Sequence, residues 1–175
     1  MLLGIMIINK NVNRKVLKEY FFIKGFIDID SEYFIEQIKK SCSSEQNMNF
    51  KSSIRGLMTP YNFFNKDPKF TEILLPLIDY VDSQYNFPDY KLQDAWGFEV
   101  RPRDKTTFHD HHEAVWSGVI YLNDCEQSLD FPEIKEELKP KKGVFAVFSP
   151  FLKHGCEKNQ DKVSKFGLSF NIAKV

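Results

Sequence analysis

The chain has 175 residues, of which 42% are hydrophobic and 15% aromatic, so it can bury one sizeable core but is short for two ordinary domains. Its 24 basic and 24 acidic residues cancel and are mixed along the sequence, so we expect no field that would attract nucleic acid or an anionic membrane. No segment approaches the roughly 20 apolar residues that a membrane span needs. We therefore predict one domain over residues 1–175, with neither nucleic acid nor membrane as a partner.

The opening segment and the cysteines bear on location. MLLGIMII is a short apolar run followed by the polar NKNVNRK, and it lacks the charged lead-in and cleavage site of a secretory signal. Cys42, Cys125 and Cys156 are scattered, without CxxC spacing or the density of a disulfide scaffold. These features predict a cytoplasmic protein.

The first half of the chain, residues 1–90, has the pattern of a supporting layer. YFFIKGFI at residues 20–27 is rich in β-forming side chains and predicts a strand. The segment DIDSEYFIEQIKKSC then offers Asp30 or Ser31 as a helix start, followed by apolar residues at helical spacing. A strand that leads into an amphipathic helix is therefore predicted.

A second helix is predicted further along this half. Residues 43–56 are polar and turn-forming, and the segment PYNFFNKDP ends where a helical pattern begins over residues 70–85. Pro76 lies within that pattern, where a proline marks either a helix start or a kink. The predicted order of elements up to this point is strand, helix, turn region and helix.

From about residue 91 to residue 175 the pattern changes to short β-rich runs separated by turn residues. The runs are KLQDAWGFEVRP, VWSGVIYLND, SLDF, GVFAVFS and KFGLSFNIA. Such spacing is typical of an antiparallel sandwich or barrel. Because the helices are confined to the first half, we predict an α+β jelly roll with the N-terminal helices packed on one face.

All four histidines lie in the β-rich half, as His109, His111 and His112 in FHDHHE and as a separate His154. Side chains alternate along a strand, so His109 and His111 are expected on one face, where two imidazoles can clamp a metal. A third ligand must come from a neighbouring strand, and His154 is the remaining histidine. A polar loop with a surface histidine is the alternative interpretation of the same residues.

From Trp96 to the C-terminus the motifs, taken in order, resemble the Fe(II)- and 2-oxoglutarate-dependent oxygenase superfamily. They are FHDHHE at the HxD position, SGVIYLND, SLDFPE, the turn PKKG before a strand ending in Phe, the distal histidine in SPFLKH, and the last strand KFGLSFNI. Small stand-alone members of this superfamily include an HxH type with a following Ser-Gly strand. The resemblance implies a double-stranded β-helix fold and a prolyl-hydroxylase-like dioxygenase, namely a hydroxylase of unknown substrate. It also implies Fe(II) as the metal and 2-oxoglutarate as the cosubstrate.

The resemblance also implies roles for individual residues. His109, His111 and His154 fall at the metal-ligand positions. Tyr121 stands where relatives contact the distal carboxylate of 2-oxoglutarate, and Lys165 stands where they usually have arginine. Ser169 shares the polar face of the last strand with Lys165, and this face is expected to line the barrel. No further catalytic side chain is required, because the chemistry belongs to iron and cosubstrate.

Two departures from the family pattern keep alternatives open. A histidine replaces the usual carboxylate ligand, so a frame of His111, Glu113 and His154 competes with the frame of His109, His111 and His154. Arg101-Pro102 stands where relatives often carry a tyrosine, and Arg101 or Arg103 is a candidate anion contact.

A cupin-like or zinc metalloprotein and a non-catalytic jelly-roll binding protein are the competing functions. The substrate, a small molecule or a peptide, and the oligomeric state are not specified by the sequence.

Overall fold

Two antiparallel sheets form the framework of the protein, and two helices cover one of them. The computed structural model describes residues 20–43, 53–85, 87 and 89–175. The opening segment MLLGIMII, on which the prediction about a secretory signal rests, lies outside the described residues. Most of the predicted turn region lies outside them too. In chain order the helices are α1 (Ser31–Cys42) and α2 (Pro68–Gln84). The strands are β1 (Phe22–Phe26), β2 (Ile54–Arg55), β3 (Leu57–Met58), β4 (Tyr90–Val100), β5 (Lys105–His109), β6 (Trp116–Tyr121), β7 (Leu129–Phe131), β8 (Glu136–Leu138), β9 (Val144–Phe148), β10 (His154–Cys156) and β11 (Lys165–Lys174).

Helix α1 begins where the sequence predicted. The side chain of Asp30 accepts a hydrogen bond from the Tyr33 amide at 3.2 Å and so caps the first turn. Phe34 and Ile38 lie one helical turn apart, and both are fully buried. The apolar face of the helix is thereby fixed against the sheet beneath it.

Helix α2 starts earlier than its apolar pattern suggested. Asp67 caps it by accepting a hydrogen bond from the Phe70 amide at 2.9 Å, and Pro68 occupies its first turn, where a missing amide hydrogen has no consequence. Pro76 is therefore an interior residue of the helix and does not mark its start. Within the described residues, no helix is long and apolar enough to cross a membrane.

The larger sheet has six strands in the order β1-β9-β6-β11-β4-β3. One of its faces packs against the helices, in a core to which Phe34, Phe70, Trp116 and Phe170 contribute. Phe166, Leu168 and Phe170 of the last strand point into this helix-side core, as their alternation predicted. The helices thus cover one face of the jelly roll.

The smaller sheet has five strands in the order β2-β5-β10-β7-β8 and packs on the other face of the larger one. A second core fills the space between the sheets and includes Phe98, Tyr121, Phe131 and Phe148. Helices on one face of two packed antiparallel sheets are the predicted α+β jelly roll, and this prediction is confirmed.

Candidate metal centre

Two of the predicted ligands lie side by side at the ends of neighbouring strands. His109 is the last residue of β5, and His154 is the first residue of β10. The antiparallel pairing places these two residues directly opposite each other, and their ring centroids are 4.4 Å apart. The sequence separates them widely, so it is the sheet that brings them together.

His111 reaches the same place from a turn. The strand ends at His109, so the predicted strand alternation does not extend to His111. Its backbone amide donates instead to the Pro150 carbonyl at 2.8 Å, which ties the turn to the segment before β10. One ligand atom from each of the three imidazoles lies within 4.8 Å of the others. Within the described part of the chain, this is the one group of three metal-binding side chains found that close together.

Backbone carbonyls orient two of these rings. Nδ1 of His109 lies 2.8 Å from the Thr107 carbonyl, and Nδ1 of His154 lies 2.9 Å from the Leu152 carbonyl. A carbonyl only accepts, so Nδ1 must carry the proton and Nε2 keeps its lone pair. Metal-binding histidines are usually oriented in this way, by an acceptor bonded to the ring nitrogen that does not bind the metal.

Burial keeps the three imidazoles neutral. Burial is the main reason why the pKa of His109 is lowered, why the pKa of His111 is lowered to about 4, and why the pKa of His154 lies well below its usual value. The neighbouring histidines lower the pKa values of His111 and His154 further. At neutral pH each ring is therefore an available ligand and not a competing cation.

The geometry of the cluster fits a metal ion. Nε2 of His111 and Nε2 of His154 are 3.2 Å apart. Two nitrogens bound at about 2.1 Å and at right angles to each other on one ion would lie about 3.0 Å apart. Since His154 presents a lone pair at Nε2, a cation between the two atoms satisfies both nitrogens. Three neutral nitrogens suit Fe(II) and zinc alike.

Glu113 of the alternative frame is outside this group. Its side chain is exposed, and it lines an open outer cavity of about 540 Å³ together with His109 and His111. His112 is turned away from the cluster, because its Nε2 lies 2.9 Å from the carboxylate of Asp110. The structure therefore brings together the frame of His109, His111 and His154 and leaves Glu113 at the rim.

A second, more enclosed cavity runs from the histidines into the space between the sheets. Tyr121, Lys165 and Ser169, the predicted cosubstrate residues, all line it. Lys165 is only 1% exposed, and its Nζ lies 3.1 Å from the Gln127 carbonyl and 3.1 Å from Sγ of Cys156. No carboxylate in the described residues forms an ion pair with it. A buried lysine without an ion-pair partner is costly, and a bound anion would offset that cost.

Burial also shapes the chemistry beside Lys165. The pKa of Tyr121 is raised mainly by burial. Its hydroxyl therefore stays protonated and can donate a hydrogen bond to an anion. The pKa of Cys156 is raised as well, chiefly by burial, although Lys165 acts in the opposite direction. Cys156 is thus a buried thiol of the cavity wall, outside the histidine cluster.

Asn171 is a site residue to which the sequence assigned no role. Its Oδ1 accepts a hydrogen bond from the Ser117 hydroxyl at 2.8 Å, and its side chain interacts with His111, whose pKa it raises against the larger effect of burial. Its position on the polar face of the last strand is the sequence feature that could have identified it as a site residue. Met58 and Tyr61 also line the enclosed cavity. They had no such signal, because Met58 lies in the two-residue strand β3 and Tyr61 lies in the turn after it, where no alternation can be followed.

The two candidate anion contacts lie elsewhere. Arg101 is exposed and pairs with Asp104 at 3.0 Å, Arg103 is exposed too, and neither lines either cavity. Trp116 is fully buried in the helix-side core. In contrast, Trp96 lines both the enclosed and the outer cavity.

Fold and site together define a class: a two-sheet jelly roll with three histidines at the junction of two cavities. No protein-family model and no curated protein sequence matches the chain. Solved structures do. A viral collagen prolyl hydroxylase from Paramecium bursaria Chlorella virus-1, in complex with 2-oxoglutarate, is 19% identical, with 90% of this chain and 97% of that chain covered and a TM-score of 0.67.

Two further solved structures are similar over most of their length. HygX from Streptomyces hygroscopicus, with nickel, 2-oxoglutarate and hygromycin B bound, is 11% identical, with 89% of this chain and 83% of that chain covered and a TM-score of 0.67. A prolyl-4-hydroxylase from Pseudomonas putida is 11% identical, with 88% and 92% covered and a TM-score of 0.61. The protein therefore has the fold of the 2-oxoglutarate-dependent oxygenases, and the resemblance inferred from its motifs is confirmed at the level of the fold.

Proposed function

We propose that the protein is an Fe(II)- and 2-oxoglutarate-dependent dioxygenase, and specifically a hydroxylase. The observation that carries the proposal is the position of the three imidazoles. They lie where an enclosed cavity, lined by a buried lysine that forms no ion pair with the described residues, meets a wide cavity open to the outside. One cavity suits a small anion and the other suits a substrate. His109 and His111 line both cavities, and His154 lines the enclosed one.

His109, His111 and His154 would hold the iron. The carbonyls of Thr107 and Leu152 fix two of the rings with Nε2 toward the cluster, so little reorganisation is needed on metal binding. Three protein ligands would leave the remaining positions on Fe(II) to the cosubstrate and dioxygen. The third histidine takes the place of the usual carboxylate, so the protein contributes no negative charge to the metal through its ligands.

Lys165, Tyr121 and Ser169 would bind the cosubstrate. A lysine neutralises a carboxylate as a point charge, without the paired hydrogen bonds of an arginine. The protonated Tyr121 hydroxyl adds a donor, and both side chains are almost completely buried, at 1% exposure each. In such surroundings the attraction between lysine and carboxylate is much stronger than in water.

Iron and 2-oxoglutarate, when bound, would supply the oxidising chemistry with dioxygen as the oxidant: the 2-oxo acid is converted to succinate and carbon dioxide, one oxygen atom of dioxygen enters succinate, and the other enters the hydroxyl group of the substrate. The chain's own residues bind and orient these partners and exclude water. A small molecule or a peptide side chain would enter through the outer cavity. No nucleophile or general base is required of the protein.

The proposal is tested by titrating 2-oxoglutarate into anaerobic, Fe(II)-loaded protein and recording the weak visible charge-transfer band. We expect the band in the natural protein, its loss in His109→Ala and His154→Ala, and a weaker band in Lys165→Ala. The exposed Glu72→Gln serves as a matched control and should behave like the natural protein.

Two results would contradict the proposal. Absence of iron binding would favour a non-catalytic jelly-roll protein, whereas tight zinc binding without any response to 2-oxoglutarate would favour a zinc or cupin-like metalloprotein. Succinate formation, measured without added substrate, gives an independent readout of the same site.

A further inference from the structure

The outer cavity has a chemical character of its own. It is about 540 Å³ in volume and shares His109 and His111 with the metal cluster, so a molecule in it lies next to the reacting centre. Three carboxylates line it, those of Asp94, Asp110 and Glu113. No lysine or arginine is among the described residues that line it.

Among the described residues, only one of the three carboxylates has a basic side chain as its partner. Asp110 pairs with His112 at 2.9 Å, whereas no ion pair to Asp94 or Glu113 is formed by the described residues. Asp94 is partly buried, and its carboxylate forms a hydrogen bond with the neutral side chain of Asn171. A concave surface with one sign of charge concentrates ions of the opposite sign.

An aromatic wall stands beside this charge. The rings of Tyr61 and Trp96 are 5.1 Å apart in an edge-to-face arrangement, and both side chains line the cavity. Asp94 is close enough to Tyr61 to contribute to its raised pKa, after the larger effect of burial. A carboxylate next to an aromatic face is a favourable environment for an organic cation.

Trp96 provides an independent sign of a missing ligand. Its side chain is only 5% exposed, and its indole Nε1 is buried without a hydrogen-bond partner in the described part of the protein. A buried indole N–H usually finds an acceptor. Trp96 lines both cavities, so a hydrogen-bond acceptor that reaches this indole N–H from either of them would satisfy it.

From these features we infer that the primary substrate carries a protonated amine or a guanidinium group, together with a hydrogen-bond acceptor such as an amide carbonyl. The cation lies in the outer cavity between Asp94, Glu113 and the ring of Tyr61, and the bond to be oxidised lies toward His109 and His111. This inference rests on the proposed function, because it assigns a substrate class to the same site. A lysine or arginine side chain of a peptide and a free polyamine both have this chemistry.

The test uses blocked amino acids of similar size and different charge. Nα-acetyl-lysine methylamide is the cationic probe, the norleucine analogue is neutral, and the glutamate analogue is anionic. Each is titrated calorimetrically into metal-loaded protein under anaerobic conditions, with and without 2-oxoglutarate. 1,5-Diaminopentane is titrated in parallel, so that a free diamine is distinguished from a side chain attached to a peptide backbone.

We expect the lysine probe to bind about tenfold more tightly than the norleucine probe and the glutamate probe to bind most weakly. The variant Asp94→Asn/Glu113→Gln should reduce the lysine preference to about threefold or less. Glu72→Gln, which removes a carboxylate on the exposed side of α2, should leave the preference unchanged. In case the double variant does not fold, added salt should weaken binding of the lysine probe to the natural protein and leave the norleucine probe unaffected.

Equal binding of the three probes, or a lysine preference that survives in the double variant, would overturn the inference. Conversion of 2-oxoglutarate to succinate without any probe reports on the proposed function separately. Succinate formation without a charge preference therefore rejects the cationic substrate and retains the oxygenase. A charge preference without succinate formation retains the cation site and rejects the oxygenase.

Discussion

His154 lies directly opposite His109 in the antiparallel pairing of β10 with β5, and each of the two rings is oriented by a backbone carbonyl two residues before it in sequence. The same local arrangement is thus used twice, once at the end of a strand and once at the start of its neighbour. Because these hydrogen bonds involve only backbone acceptors, the positions of two candidate ligands depend on the sheet and not on other side chains.

The first prediction concerns the ligand frame. His109→Ala, His111→Ala and His154→Ala should each lower Fe(II) affinity by about a hundredfold or more, because a three-nitrogen site loses one of its bonds. Glu113→Ala should bind iron like the natural protein, since its side chain lies at the exposed rim. Anaerobic Fe(II) titration followed by equilibrium dialysis measures the affinities. Loss of iron in Glu113→Ala, with retention in His109→Ala, would support the competing frame.

Lys165 provides a prediction about stability in the absence of ligand. Lys165→Met keeps most of the side-chain volume and removes a buried amino group that has no carboxylate paired with it in the described residues. We expect the ligand-free variant to be about 1 kcal/mol more stable than the natural protein, because replacing a buried charge by an apolar side chain removes a desolvation penalty. Urea unfolding at pH 7 measures this difference.

The same variant should lose the response to cosubstrate. In the natural protein 2-oxoglutarate should raise the melting temperature of the metal-loaded form, whereas in Lys165→Met it should not. Lys165→Arg is the matched control and should retain the response, because it preserves the positive charge. A strongly destabilised Lys165→Met would instead show that the lysine supports the fold through the Gln127 carbonyl and Cys156.

The histidine cluster predicts a loss of stability at mildly acidic pH. Burial lowers the pKa of His111 from 6.5 to about 4, so between these values the unfolded chain binds more protons than the folded chain. Stability must then fall as the pH decreases through this window, and it is unaffected by this group above it. We expect a loss of about 1 to 3 kcal/mol for the metal-free protein between pH 7 and pH 4.5.

Urea unfolding at several pH values tests this expectation. In His111→Asn the pH dependence should be weaker, because one of the titrating rings is absent. Asp94 and Asp130 act in the opposite direction, since burial is the main cause that raises the pKa of each. A metal-free protein as stable at pH 5 as at pH 7 would contradict the prediction.

The sequence predicted the layers of the fold because a helix or strand with one buried face has apolar side chains at a regular spacing along the sequence. The alternation in β11 is an example: Phe166 and Leu168 pack on the helix side, while Lys165 and Ser169 line the enclosed cavity. The start of helix α2 was missed, because an apolar pattern begins only where side chains become buried. Capping by Asp67 and a proline at position 68 set the actual start.

The residues of the site could be predicted from the sequence, but the contacts that bring them together could not. His109 and His154 could be proposed as neighbours from a family resemblance, whereas the turn that carries His111 into the cluster depends on a contact with the Pro150 carbonyl. A contact between residues far apart in the chain produces no repeating pattern of residue types, so it cannot be predicted from a single sequence. The role of Asn171 depends in the same way on its cross-strand partner Ser117.

The Ser-Gly step at the start of β6 yields the last prediction, because it connects the site to the core. Gly118 pairs with Phe170 across β6 and β11, and a Cβ atom at position 118 would lie 2.2 Å from Cζ of the Phe170 ring. Phe170 is fully buried, so its ring has little room to move. We therefore expect Gly118→Ala to lower the free energy of unfolding by about 1 to 3 kcal/mol, as overpacked cores do.

Thermal and urea unfolding measure this effect, at roughly 2 to 4 °C in melting temperature for each kcal/mol. Phe170→Leu removes the clashing ring, so the double variant should be more stable than the sum of the two single losses predicts. The neighbouring Ser117 keeps its hydroxyl bond to Asn171 only if β6 and β11 stay in register, so iron affinity in Gly118→Ala reports on the site separately from stability. An unchanged melting temperature in Gly118→Ala would show that the ring moves aside, and that the glycine is not required by packing against Phe170.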